Sequence, residues 1–223
     1  MGKIVLVPTP LGNLEDMTYR AVRVLRDSTL ILAEDTRKTG VLLKHYGIET
    51  RMRSYHQHNE HTLTAVLLDG MGSDDVYCVV TDAGTPGISD PGFFLVREAL
   101  ARGIEVECLP GGVAFIPALV VSGIPCDRFH FEGFLPHRKG RSSRLALLTE
   151  FSQTMVFYES PHRLVKTLEQ FCDVFGGSRR GVAARELTKI YEEIRRGTLE
   201  ELLLHFKEQK PRGEFVLIIA GKE

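Results

Sequence analysis

The sequence predicts an α/β protein of two domains, and three observations lead there. Short apolar runs alternate with amphipathic helical runs through the first half of the chain, the pattern of a parallel sheet covered on both faces. Three of those apolar runs stop in glycine- and proline-rich stretches, at 8–13, 81–92 and 109–114. The alternation loosens after Ser122-Gly123-Ile124-Pro125, which sets a domain boundary between residues 123 and 124. The expected domains are therefore 1–123 and 124–223.

Taken in order, residues 3–7 read as a strand stopped by Pro8-Thr9-Pro10-Leu11-Gly12-Asn13. A helix at 16–26 places Ala21, Val22 and Leu25 on one face. A second strand, 29–33, ends in Glu34-Asp35-Thr36-Arg37, and a helix at 39–46 reaches Gly47 as its C-terminal stop. A short strand at 51–55 precedes the polar segment His56-Gln57-His58-Asn59-Glu60-His61 and a helix at 62–69. The strand at 76–80 runs into the central crest, where three glycines and two prolines in residues 84–92 leave no room for regular structure. Asp90-Pro91 then reads as a side-chain N-cap with proline at the first helical position, ahead of a helix at 93–101. A strand at 104–108 ends in Leu109-Pro110-Gly111-Gly112, which opens an apolar helix at 113–121. In the second domain, strands are expected at 129–133, 155–158, 181–185, 191–195 and 215–220. Helices are expected at 141–151, 161–175 and 199–207, the last opened by a Thr198–Glu201 capping box.

At 223 residues, with 43% hydrophobic and 26% charged residues, the chain has the composition of a soluble globular protein with a sizeable core. Its longest apolar run, 113–121, is far too short to span a bilayer, and residues 1–7 lack the pattern of a signal peptide. Cys78, Cys108, Cys126 and Cys172 form no CxxC pair and read as buried free thiols, which points to the cytoplasm. A net charge of −1 excludes a general polyanion binder, yet it hides an asymmetry. Residues 1–126 carry 11 Lys and Arg against 15 Asp and Glu, whereas residues 127–223 carry 17 against 14.

Three small-residue crests at strand ends on one side of a sheet define a ligand cleft, because ligands of open α/β sheets lie beyond the carboxyl ends of the strands. The central crest offers hydroxyls and carboxylates, which suit a polar, partly cationic ligand better than a phosphate. No dinucleotide fingerprint or Walker lysine is present. Glu34-Asp35-Thr36-Arg37 reads either as an acid–base cluster or as a helix start whose acids favour the macrodipole. The spacing of His56, His58 and His61 puts them on different sides of a helix or strand, so no metal site is expected and the segment reads as a polar loop at the cleft rim. Arg138, Lys139, Arg141 and Arg144, with Gly140 among them and no acid between, read as an exposed loop for phosphates or as solvated surface. Glu159 and the block Arg185-Glu186-Leu187-Thr188-Lys189 crowd ionisable groups at strand ends, as paired functional charges or as a structural ion-pair network.

Several blocks together are more specific. PTPLGNLEDMTYRAVRVL, AEDTRKTGVLLKHYGI, SYHQHNE, TDAGTPGISDPG, DRFHFEGFLPHRKGR, FYESPHR, ARELTK, EEIRRGTLEEL and GEFVLIIAG occur in that order over essentially the whole chain. In them the sequence resembles the 16S rRNA (cytidine-1402-2′-O)-methyltransferase family of the tetrapyrrole-methylase superfamily. The resemblance implies a two-domain tetrapyrrole-methylase-like fold, with a mostly parallel sheet in the first domain, a mixed sheet in the second and S-adenosylmethionine (SAM) in a cleft between them. It also implies a homodimer. Carried across by motif position, the cofactor contacts would be Leu11, Gly12, Asp82, Gly84, Thr85, Val113 and Ala114, with Tyr158 and Ala184 from the second domain. The chain departs from the family's usual Pro-Gly-Pro-Ser-Ala turn at Pro110-Gly111-Gly112-Val113-Ala114, which removes a serine hydroxyl but leaves the backbone contacts.

The expected activity is SAM-dependent 2′-O-methylation of cytidine 1402 in 16S rRNA, with the small ribosomal subunit as partner. Glu159, Glu186, Lys189, Glu34 and Arg37 are the catalytic candidates, and Arg138, Lys139, Arg141 and Arg144 the RNA contacts. Two alternatives are methylation of a tetrapyrrole or other small molecule on the same fold, and a noncatalytic RNA-binding or ribosome-assembly protein. A small substrate needs no phosphate-tracking loop, and a relic would not need three open crests.

Overall fold

The computed structural model describes residues 2–222, which divide into two compact units between Val113 and Ala114. In the first unit the elements are β1 (Lys3–Leu6), α1 (Tyr19–Asp27), β2 (Leu30–Ala33), α2 (Thr36–His45), β3 (Met52–Ser54), α3 (Glu60–Asp69), β4 (Val76–Val80), α4 (Phe93–Ala101) and β5 (Glu105–Cys108). The five strands form one sheet in the order β3-β2-β4-β1-β5, with every pair parallel. Alternation along each strand divides the core in two. Ile4, Leu6, Leu30, Leu32, Tyr77 and Val79 face Leu67, Leu68 and Leu95 on one side. Val5, Val7, Ile31, Ala33, Cys78 and Val80 face Ala21, Leu25 and Leu43 on the other. Both faces are thus covered, as the near-continuous apolar strands require.

The second unit contains α5 (Phe115–Ser122), β6 (Phe129–Phe134), α6 (Arg141–Leu148), β7 (Thr154–Glu159), α7 (Leu164–Phe175), β8 (Arg180–Arg185), β9 (Glu193–Thr198), α8 (Leu199–Glu208) and β10 (Phe215–Ile219). Its sheet runs β6-β7-β10-β8-β9; only β6–β7 is parallel, so the sheet is mixed. One face, with Met155, Phe157, Ala183, Leu217 and Ile219, is covered by Leu145 and Leu148 of α6, Leu164, Leu168 and Phe171 of α7, and Leu202 and Phe206 of α8. The other, with Val156, Val182, Ala184, Val216 and Ile218, is covered by Ala118 and Leu119 of α5. The expected boundary at 123/124 placed α5 with the first sheet. Its packing assigns it to the second, because β7, β8 and β10 leave an apolar face that α5 closes.

Local capping explains most element ends. Thr18 Oγ1 accepts from Ala21 N and starts α1 three residues later than expected, after a 3₁₀ turn at Leu14–Asp16. Thr198 and Glu201 form the expected reciprocal capping box. Asp90-Pro91 does not cap α4. Gly92 (φ 139°) occupies the N-cap, and the Pro91 carbonyl is taken by Gly87 N. All four cysteines are free thiols, but Cys108 and Cys126 are exposed rather than buried; burial lifts the Cys78 thiol to about 11.

Candidate active site

Because the first sheet is wholly parallel, its carboxyl ends lie along one edge, and the order β4-β1-β5 makes the three crests neighbours. The chain leaves β1 towards β2 on one side and β4 towards β5 on the other, the reversal at which open α/β sheets bind ligands. The crests are laced together. Thr9 and Gly84 exchange backbone hydrogen bonds of 2.9 and 3.0 Å, and the Thr9 hydroxyl donates to the Thr81 carbonyl at 3.1 Å. Thr85 Oγ1 donates to the Gly112 carbonyl at 2.8 Å, tying the second crest to the third. Gly84 needs its left-handed φ of 91°, and a Cβ on Gly111 would stand 2.5 Å from Pro8 Cβ, so neither position admits a side chain without displacing a crest. The half-buried Leu11 lies over Gly84 and Gly112, and Gly12 is exposed beside it.

Asp82 is the polar centre of this edge. Its Oδ2 accepts from Lys38 Nζ at 2.6 Å, and its backbone N–H donates to Glu34 Oε2 at 3.2 Å. Oδ1 is buried and has no hydrogen-bond partner among the described residues. A buried carboxylate oxygen without a donor is costly, so this atom marks a place where a ligand group with a donor or positive charge would bind. Lys38 was not singled out in the sequence; the signal available was its place in the first turn of α2, directly after the β2 crest.

Asp35 resolves the ambiguity of the Glu34–Arg37 segment. It N-caps α2 by accepting from Arg37 N, and the Arg37 side chain closes on the same carboxylate. Those bonds from Arg37 hold the Asp35 carboxyl well below the usual carboxylate range. Arg37 is therefore an exposed capping partner turned back on its own helix start, while Glu34 remains at the edge beside Asp82.

In the second unit, Tyr158 and Ala184 occupy one register row, each paired with Val216 of β10. Tyr158 is half-buried among the rings of Phe115, Phe131 and Phe134. Ala184 is 1% exposed and its strand is paired on both sides, so it supports the row from within the core and presents no contact surface.

Glu159, expected as a catalytic candidate, is 2% exposed and fully engaged. Its Oε1 accepts from Ser160 N at 2.8 Å and Arg163 Nε at 2.7 Å, and its Oε2 accepts from Thr167 Oγ1 at 2.7 Å. This is the structural ion-pair reading. Arg185–Lys189 is different: Glu186 (φ 49°) and Thr188 (φ 66°) both sit in the left-handed region, and Arg185 Nε and Thr188 Oγ1 are buried without hydrogen-bond partners among the described residues. Burial alone would raise the Glu186 carboxyl, but bonds from Lys189 Nζ and Glu214 N outweigh it and hold it below its ordinary range. Burial likewise opposes the Lys189 charge, and its bonds to Glu214 and Glu186 hold the ammonium above its ordinary value.

The basic run divides in two. Arg138 and Lys139 are exposed. Arg141 is buried: its guanidinium donates to Gln170 Oε1 at 2.8 Å, the Pro136 carbonyl at 3.2 Å and Thr167 Oγ1 at 2.7 Å. Arg144 donates to both oxygens of Glu132. Helix α6 begins at Arg141, which buries that side chain, while the half-buried Arg144 is closed on Glu132, so neither is the free phosphate contact expected of it.

Two α/β units, one parallel and carrying glycine crests and one mixed, define the architecture of the tetrapyrrole methylases. The fold matches diphthine synthase with a TM-score of 0.73 at 14% identity, covering 100% of this chain and 90% of that one. It also matches the uroporphyrin-III C-methyl transferase of Thermus thermophilus solved with S-adenyl homocysteine, with a TM-score of 0.67 at 20% identity over 98% and 97% of the two chains. Residues 3–203 match the family described as Tetrapyrrole (Corrin/Porphyrin) Methylases. Among curated relatives, ribosomal RNA small subunit methyltransferase I of Pseudomonas aeruginosa is 48% identical over 99% of this chain and 79% of its own length. The Thermotoga maritima protein of that name is 44% identical over the full length of both. The chain belongs to the tetrapyrrole methylase family, and within it to the ribosomal RNA small subunit methyltransferase I group.

Proposed function

We propose that this chain is a SAM-dependent methyltransferase that modifies small-subunit ribosomal RNA, at the ribose 2′-hydroxyl of cytidine 1402 in 16S rRNA. The observation that carries the reading is 44–48% identity, over nearly the whole chain, to proteins named for that class of reaction. The likeness to porphyrin and corrin enzymes, at 16–21% identity, speaks for the fold alone.

The residues fit SAM. Asp82 Oδ1 is a buried acceptor without a donor among the described residues, Gly84 holds a left-handed φ, and a Cβ on Gly111 or Gly112 would press on Pro8 or the Thr9 carbonyl, so the crests stay low. Leu11, Gly12, Asp82, Gly84, Thr85 and the backbone at Val113 and Ala114 would hold the methyl donor. When bound, its sulfonium supplies an electrophilic methyl group. The protein's main task is then alignment, which can supply about 7–11 kcal/mol. A general base adds about 10²–10⁴-fold, roughly 3–5 kcal/mol, so positioning dominates. Glu34, whose Oε2 holds the Asp82 amide, is the first-unit candidate to receive the hydroxyl proton. In the second unit Glu186 is the candidate acceptor and the Lys189 ammonium its charged partner, on a strained loop where Arg185 Nε and Thr188 Oγ1 are buried without hydrogen-bond partners among the described residues. In the second unit, Tyr158 is the cofactor contact suggested by motif position, and Arg138 and Lys139 contact RNA phosphates. The working form is a cytoplasmic homodimer.

The test is incubation with labelled SAM and purified small subunits. Label at a single 2′-O-methylcytidine of 16S rRNA is the expected result; transfer to a tetrapyrrole instead, or to neither, overturns the reading.

A further inference from the structure

A second cavity of the first unit, about 450 Å³ in volume, opens beside the crest edge. Glu34, Gln57, His61, Phe93, Phe94 and Arg97 line it. Its rings are organised. The Arg97 guanidinium lies 4.9 Å from the Phe94 ring centroid and 5.8 Å from that of Phe93, and His61 meets Phe94 edge-on at 4.5 Å. Phe93 itself is 68% exposed at the first position of α4, a large aromatic face left to solvent. Ser89, also in the lining, holds a left-handed φ of 64°, backbone strain of the kind that collects at ligand sites.

The chemistry of the lining selects its ligand. Glu34 and Glu60 put carboxylates into the cavity, which disfavours a phosphate there but suits the amine of a base or a ribose hydroxyl. Gln57 supplies a donor for a ring carbonyl, and Arg97, whose Nε and Nη2 donate to Glu98 Oε1 at 3.3 and 3.2 Å, carries further N–H groups on Nη1. Aromatic and guanidinium faces are what unpaired bases stack on. Glu34 also fixes the position of the cavity, because the same side chain holds the Asp82 amide at 3.2 Å. A ligand against Glu34 therefore lies next to the crest edge at Asp82.

We propose that this cavity receives one unpaired pyrimidine nucleotide of the RNA substrate, taken out of its strand, with Phe93 as the stacking platform and Arg97, Gln57 and Glu34 reading its edge. The proposal rests on the functional reading above and names the subsite that presents the methyl acceptor. Splayed, unstacked bases held on aromatic and guanidinium faces are what sequence-specific RNA recognition targets, and holding the base places its own ribose.

The experiment compares wild type, F93A, F93W and R97A as full chains, with labelled SAM and purified small subunits. SAM affinity is followed by calorimetry and oligomeric state by light scattering. Removing one base–aromatic stack corresponds to about 5- to 150-fold, so F93A should lose that much kcat/KM on small subunits. F93W should recover most of it, R97A should weaken it, and SAM affinity and oligomeric state should stay as in wild type. F93A methylating at the wild-type rate, F93W failing like F93A, or a loss that follows a change in SAM affinity or oligomeric state each overturns the subsite. Wild type that labels no small-subunit RNA would instead overturn the functional reading, which keeps the two failures apart.

Discussion

Lys38 Nζ lies 2.6 Å from Asp82 Oδ2, so one oxygen of this carboxylate is held from within while its partner, Oδ1, stays buried with no hydrogen bond among the described residues. The asymmetry separates the two side chains by function. Hydrogen bonds to charged groups are worth about 1.5–3 kcal/mol, so D82A should weaken SAM binding by roughly 10- to 150-fold. Lys38 contributes an exposed ion pair of at most about 1 kcal/mol, so K38A should cost less than about 5-fold. Calorimetric titration checks both, and an unchanged affinity in D82A would remove Asp82 from the cofactor site.

The divided basic run gives a second contrast. R141A deprives the Pro136 carbonyl, Thr167 and Gln170 of their buried donor and should destabilise the protein by at least about 1–3 kcal/mol, read as a lowered Tm. Replacing Arg138 and Lys139 by alanine should leave Tm unchanged while lowering the salt slope of small-subunit binding by about 0.7–0.9 for each phosphate no longer neutralised. Parallel salt plots for that double variant and wild type would make the loop solvated surface.

Glu159 and Lys189 should separate in the same way. E159A leaves Arg163 and Thr167 without their buried acceptor and should lower stability by about 3–5 kcal/mol, with its loss of activity following the unfolded fraction. K189A should change stability little and slow single-turnover methylation with SAM affinity retained. A K189A enzyme at full single-turnover rate excludes Lys189 from the chemistry.

Alkaline stability carries a signature of Tyr55. It is 1% exposed, its hydroxyl pairs with Thr64 Oγ1 at 2.9 Å, and burial pushes its pKa up to about 12. An unfolded tyrosine ionises near 10, so the folded pKa is the higher one. The contribution is complete below about pH 10 and is lost as pH rises to about 12, because only the unfolded state releases the proton in that window. Y55F should keep the packing and flatten this part of the stability–pH curve; an unaltered curve would refute the assignment.

Much of this was legible in the sequence because the signals were local. Apolar strands, the Thr198–Glu201 box and the three small-residue crests each depend on neighbours a few residues away. What escaped depended on distant partners. Helix α5 ends at Ser122, one residue past the expected 121, with Gly123 (φ 74°) as its C-cap, but a helix so apolar carries no mark of which sheet it will cover. Four basic residues within seven positions look alike in a linear string, and the helical turn beginning at Arg141 buries one of them and closes another on Glu132. Lys38 offered only its place in the first turn of α2 and Arg97 nothing, because their meaning comes from Asp82, 44 positions from Lys38, and from the rings beneath a cavity.

Strand β1 is made before both of its partners, β4 and β5, and lies between them in the sheet. During synthesis, Ile4, Val5 and Leu6 therefore have no strand partner until Val76 and its successors leave the ribosome. At 5–20 residues per second, the roughly 70 intervening residues take about 4–14 s. Through that interval an apolar strand of high β-propensity waits unpaired, the state in which nascent chains recruit chaperones or one another.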